Sequence, residues 1–433
     1  MELKTATDRK SQIIDDLEEA RARTNQLLDP VDDERLMKQQ NRLMSPLVWD
    51  AGHIGVFEEL WLVQSLTGSA PIDEQRMHLY DAFDNPRWVR GSLPLLNRQE
   101  VAEYRDVVRR RAVEILDEVD LEGEDQLTRN GFVYDMIVQH EHQHNETILQ
   151  ALQLLPGGYR PVVPEPPRAR EVVLDGVAVP AGEYPIGSDS HEPYDNEHPL
   201  HSVRLRAYDI DRFPVTCGQY LAFIDDSGYS RRELWSEAGW AWRAEEKAVA
   251  PMYWRRDESG WVRDQFGHLV AVESNHPVMH VSFHEAEAYC RWAGRRLPTE
   301  FEWEVAAAWD PQSRKQRRYP WGDEEPNREL ANLDQRLFGT APVGAFPQGA
   351  SALGCEQMLG DVYEWTTSEF VGYPGYTSFP YKEYSEVFFG DEYKVLRGAS
   401  WATRPRVARN TFRNWDYPIR RQIFSGFRTA GDA

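Results

Sequence analysis

The segment HEHQHNET, beginning at His140, puts three histidines within five residues. Around it Val133, Met136, Ile137, Ile148, Leu152 and Leu155 recur at helical spacing, which predicts a helix over Phe132–Leu155. At about 100° per residue His140 and His144 fall about 40° apart on the apolar stripe. His142 falls about 200° from His140, on the side where solvent is expected. Imidazoles that interrupt a core stripe need partners, because burying polar nitrogens unpaired is costly. A metal ion supplies one kind of partner, and hydrogen bonds within a core supply the other; an i, i+4 histidine pair is a metal-ligand spacing.

A second helical stretch, SPLVWDAGHIGVFEELWLV, runs Trp49, Gly52, Val56, Leu60 and Val63 along one face, with His53 beside Gly52 and Val56. Alone, His53 reads as a core histidine. Beside an HxxxH pair on another inward face of the same bundle it completes a set of His53, His140 and His144. Three protein ligands with positions left open is the pattern of a catalytic rather than a structural metal. Nitrogen ligands suit zinc, iron or copper alike.

The elements that must carry these residues are four helices, over Asp8–Leu28, Pro46–Leu66, Gln99–Val119 and Phe132–Leu155. PGGYRPVVPEPPRAR, from Pro156 to Arg170, is too rich in proline to continue a helix. Beyond it the texture changes. Short β-like runs (VAVPAGEYPIG, HSVRLRAYDI, KVLRGASW) alternate with turn residues, and only Cys217–Asp226, His284–Ala293 and Glu300–Ala308 look helical. The reading is a four-helix bundle over 1–156, a proline-rich linker over 157–170, and a loop-rich α+β domain over 171–433.

Composition narrows the function. The 433 residues carry 71 acids against 49 bases, a net charge of −22, which argues against nucleic acid and against an anionic membrane surface. No run is apolar enough to span a bilayer, and the N-terminus lacks a signal-peptide core. Three cysteines without a CxxC fit a reducing cytoplasm and give neither a disulfide framework nor a thiolate metal site.

Four further motifs, HPVMHVSFHEAEAYCRWAGRRLPTEFEWEVAA, YPWGDEEPN, MLGDVYEWT and VLRGASW, closely resemble those of the formylglycine-generating-enzyme (sulfatase-modifying, C-type-lectin-like) fold. The bundle, with one histidine on its second helix and HxxxH on its fourth, resembles the DinB-like fold. The two fused in this order resemble the sulfoxide synthases of ergothioneine biosynthesis. That resemblance implies a non-haem iron(II) enzyme that uses O2 to join the sulfur of γ-glutamylcysteine to the imidazole carbon of hercynine, giving a sulfoxide. One departure matters: RGASWATRPRVARNTFRNWD lacks the paired copper-binding cysteines of formylglycine-generating enzymes, so that activity is not expected.

The resemblance also implies roles for single residues. Arg87 and Arg90 of DNPRWVRGSLPLL would grip the carboxylates of γ-glutamylcysteine, and Asp416 of RNWD its ammonium. Gln143, Asn414 and Trp415 match positions that contact hercynine, whose quaternary ammonium favours aromatic faces. Tyr381, the first tyrosine of FPYKEYSEVFFG, would be the proton donor, with Tyr384 three residues on. The site is expected where the two domains meet. Without the resemblance, the arginines and Gln143 read as solvated, and the tyrosines, Asn414 and Trp415 as ordinary loop packing. His198, His201, His276 and His280 read as structural, and the acidic run SDSHEPYDNE as a solvated loop. Competing readings are a zinc-dependent DinB-type thiol transferase, a sulfoxide synthase taking free cysteine or histidine, and a binding module.

Overall fold

A computed structural model describes residues 6–191 and 194–433. The chain divides into two compact units, Met1–Arg160 and Pro161–Ala433. No helix among the described residues is long and apolar enough to cross a membrane.

The first unit is built on four long helices: α1 (Ala6–Leu28), α2 (Leu47–Glu58), α3 (Arg98–Glu118) and α4 (Phe132–Gln153). The starts of α2, α3 and α4 have local causes. Pro46 precedes the first residue of α2, where a missing N–H costs nothing. Asn97 and Glu100 close a capping box on α3. Gly131, at φ 76°, turns the chain into α4. Helix α2 does not end at Glu58 but widens into a π-helical segment, Glu59–Gln64. There Glu59 is buried and accepts hydrogen bonds from the Tyr104 hydroxyl (2.6 Å) and the Ile72 amide (2.6 Å). Short helices at Asp33–Met37 and Glu74–Leu79 and a 3-10 turn at Arg87–Ser92 fill the long connections, where the sequence pattern showed none.

The core of this unit is apolar on one side of α4 and ionic on the other. Ile13, Leu17, Val108, Leu116, Ile137, Ile148 and Leu152 are all buried. Behind the histidine face, Glu141 accepts from Thr24 Oγ1 (2.7 Å) and pairs with Arg105 (2.8 Å). Glu58 pairs with Arg21 (2.9 Å) and Arg109 (2.6 Å). Helix α4 is therefore enclosed on nearly every side, and the expectation of a solvated His142 is overturned. His142 is 4% exposed, and its Nε2 lies 3.7 Å from Glu19 Oε2 of α1. Helical periodicity gave its direction correctly, but α1 rather than water occupies that side.

From Leu154 to Asp175 the chain has neither helix nor strand. The second unit then assembles several small, mostly antiparallel sheets around buried helices. A three-stranded sheet joins Gly176–Val179 and Ala430–Asp432 to the two edges of Tyr208–Asp211. A four-stranded sheet runs in the order Asn414–Asp416, Gly390–Arg397, Tyr363–Phe370, Ser425–Gly426. Capping boxes at Thr216, Ser282 and Thr299 start the helices Cys217–Asp225, Phe283–Trp292 and Glu300–Ala308. A fourth helix, Glu237–Glu246, was not expected; its sequence EAGWAWRAEE buries only Gly239 and Trp242 and so carries a weak stripe.

The acidic run is a second correction. Asp195, Asn196 and Glu197 are buried rather than solvated, while Glu192 and Pro193 lie outside the described residues. Asp195 accepts from the Tyr376 hydroxyl (2.7 Å), and Glu197 pairs with Arg409. Cation and hydroxyl donors from segments about 180 to 215 residues away give these acids the partners that a solvated loop takes from water.

Candidate metal centre

Helices α2 and α4 bring His53, His140 and His144 together. One ligand nitrogen from each lies within 4.8 Å of the others, and theirs is the only such cluster among the described residues. The ring centroids are 5.2 Å apart for His53 and His140, 4.8 Å for His53 and His144, and 4.6 Å for His140 and His144. His53 Nδ1 donates to the Tyr80 carbonyl oxygen at 2.7 Å, so its Nε2 is the free nitrogen. His144 Nδ1 faces Asp50 Oδ1 at 3.1 Å. His140 stacks on Phe57 at 3.8 Å. Burial, followed by the neighbouring His144, holds the pKa of both His53 and His140 well below the ordinary histidine value. Three imidazoles with a nitrogen each turned to the same place are the donor set a divalent transition metal needs.

The walls of this site are aromatic and cationic. Trp49 stacks on His53 (4.9 Å, 11°), and the Arg90 guanidinium carbon lies 3.4 Å over the Trp49 ring. Arg90 is buried, contrary to its residue-level reading as a solvated cation. It donates to Asn85 O (2.7 Å) and Ser45 Oγ (2.7 Å) and forms no ion pair among the described residues. Burial, then the neighbouring Arg87, lowers its pKa to about 9, so it stays charged at neutral pH. Arg87 is half-buried on the same 3-10 turn, and Gln143 is half-buried on α4. Asp50 and Tyr80 went unremarked in the sequence reading, which placed Trp49 only on the apolar face of its helix. The signal for Asp50 was present in WDAGH, an acid one helical turn before a histidine.

The remaining candidates share one region of the second unit. Asn414, Trp415 and Asp416 form an edge strand, each half-buried. Trp415 stacks on Phe370 (4.0 Å, 8°) and meets Tyr384 edge-on at 5.7 Å. Tyr384 is itself stacked on Tyr194 (4.3 Å) and contacts Tyr381 at 6.3 Å. Burial, then the neighbouring Tyr194 and Asp195, pushes the Tyr381 hydroxyl well above the usual tyrosine value. Asp416 lies 3.6 Å from Arg420. His276 and His280 are buried, with pKa values lowered by burial to about 4 and about 3, and bond to Thr340 and to the Arg421 carbonyl. Neither belongs to a metal-capable cluster among the described residues.

A histidine-lined helical bundle followed by a small-sheet α+β domain defines the class, and comparison with known proteins gives the same two parts. Residues 16–148 match the DinB superfamily, and residues 163–433 match the sulfatase-modifying factor enzyme 1-like domain. A hercynine oxygenase of Mycolicibacterium thermoresistibile is 47% identical, covering 99% of this chain and 96% of its own. One of Mycobacterium tuberculosis is 46% identical over 96% and 97%. A formylglycine-generating enzyme of Thermomonospora curvata is 36% identical but covers 45% of this chain. The chain belongs to the hercynine oxygenase family.

Proposed function

We propose that this protein is an O2-dependent iron(II) enzyme that joins the sulfur of γ-glutamylcysteine to the imidazole carbon between the ring nitrogens of hercynine. One oxygen atom stays on sulfur as the sulfoxide. The other leaves as water, with the thiol hydrogen and the ring hydrogen. The observation that carries this reading is the His53, His140, His144 cluster within a chain related to hercynine oxygenases over nearly its whole length.

His53, His140 and His144 would hold the iron and leave its other positions to small molecules. Bound there, it supplies the redox chemistry that reduces O2 as the sulfur is oxidised. Arg90, already desolvated and without a carboxylate partner, suits a substrate carboxylate, and Arg87 on the same turn a second one. Asp416 would take the ammonium of the thiol substrate in competition with Arg420. Gln143 and Asn414 offer amides to the polar edge of hercynine, and Trp415 a ring face to its quaternary ammonium. The Tyr381 hydroxyl, whose burial keeps it protonated, has a proton to give when oxygen is reduced.

Oxygen uptake by protein loaded anaerobically with iron(II) tests the reading, with hercynine and γ-glutamylcysteine added singly and then together and the products weighed by mass spectrometry. Uptake that requires both and yields their sulfoxide conjugate is expected. Equal turnover with free cysteine would overturn the thiol assignment. Thiol transfer without O2 by a zinc-bound form would overturn the oxygenase reading.

A further inference from the structure

Asp50 has no evident purpose in the fold alone. It lies in the first turn of α2, one turn before His53, and is 1% exposed. Its Oδ1 is 3.1 Å from His144 Nδ1, while its Oδ2 is buried with no hydrogen-bond partner, and no lysine or arginine forms an ion pair with it among the described residues. A buried carboxylate half satisfied in this way is expensive for folding.

Its neighbours indicate what the charge is for. His53 is oriented by a neutral acceptor, the Tyr80 carbonyl, and His140 by ring stacking on Phe57. His144 alone of the three has an anion behind it. Arg90 feels the Asp50 charge without pairing with it, and the carboxylate's one contact is the ring of His144, directly behind the nitrogen that a divalent cation would take.

We propose that Asp50 is a positioning residue for the metal site. It holds His144 as the Nδ1–H tautomer, turns Nε2 toward His53 and His140, and strengthens His144 as a donor by placing negative charge behind its ring. The inference rests on the reading of the three histidines as metal ligands.

The test compares the full-length protein with Asp50→Leu and Asp50→Asn, using anaerobic cobalt(II) titration, ¹⁵N-histidine NMR of the metal-free protein, and thermal melting without metal. In the unaltered protein His144 carries its proton on Nδ1. In Asp50→Leu that preference is lost and the cobalt(II) Kd rises about ten- to a hundredfold. Asp50→Asn, whose amide oxygen can still accept from Nδ1, gives a smaller rise and covers the case in which the leucine variant fails to fold. Both metal-free variants melt no lower than the parent, because a half-satisfied buried carboxylate has been removed. Lower melting with unchanged cobalt affinity would assign Asp50 a structural role and overturn the proposal, as would an unchanged tautomer in Asp50→Leu. Failure of the parent itself to bind cobalt(II), or undiminished binding in His144→Ala, would overturn the three-histidine reading and this inference with it.

Discussion

At the scale of single residues, His142 and His144 separate direction from environment. His142 is buried and His144 half-buried, but only His144 points at the other two histidines. His144→Ala is expected to abolish metal binding in a cobalt(II) or iron(II) titration. His142→Ala is expected to keep the metal while lowering the melting temperature, because it removes a packed side chain beside α1. Loss of metal in both would refute the assignment of faces. The tyrosines divide similarly. Tyr384 is packed between Tyr194 and Trp415, whereas Tyr381 lies at the end of that aromatic group. Tyr381→Phe should leave binding of both substrates intact and cut carbon–sulfur product by about a hundredfold or more, the usual weight of a positioned acid. Product measured by mass spectrometry at an unchanged rate would remove Tyr381 from the reaction.

Among the elements, helix α4 is held in rotation by its ionic side. Burial alone would raise the pKa of Glu141, but Arg21, Arg105 and Arg109 outweigh it and bring it down to about 2 from an ordinary 4.5. A carboxylate whose folded pKa is depressed contributes stability that is complete above its unfolded pKa and is lost as pH falls toward the folded one. Urea melts should therefore show stability falling between about pH 4.5 and pH 2. Glu141→Gln should be less stable at pH 7 and show a flatter decline across that window; an unaltered slope would mean that the network does not hold the helix. Helix α2 depends on contact rather than charge. A Cβ on Gly52 would lie 2.3 Å from the Tyr80 ring, and the Tyr80 carbonyl holds His53. Gly52→Ala should cost about 1–3 kcal/mol as overpacking and also weaken metal binding. Wild-type metal affinity in that variant would show that Tyr80 moves without carrying His53 along.

For the whole molecule, the question is why a three-histidine bundle is joined to a sulfatase-modifying-like domain. The proposed answer is division of labour, with metal and carboxylate grip on the first unit and proton donor and ammonium contacts on the second. Arg87→Ala, alone and with Arg90→Ala, should raise the KM for γ-glutamylcysteine at least tenfold while leaving that for hercynine within a few-fold. Equal effects on both substrates would show that the arginines support the fold of the site rather than one ligand.

The sequence by itself determined the long helices, the three-histidine set and the family, because these rest on local periodicity and on motifs contiguous in the chain. Four bundle helices and three of the second unit's helices were legible in that way, whereas RNWD read as a loop and is an edge strand. What surrounds each side chain was decided only by tertiary packing. His142 met α1 instead of solvent, the Asp195–Glu197 run met Arg409 and Tyr376 instead of water, and Arg90 was folded onto Trp49. Asp50 and Tyr80 came to stand behind His144 and His53 through contacts 94 and 27 residues apart in the chain. Periodicity gives the direction in which a side chain leaves its helix, but burial and partnership depend on which distant segment fills that direction.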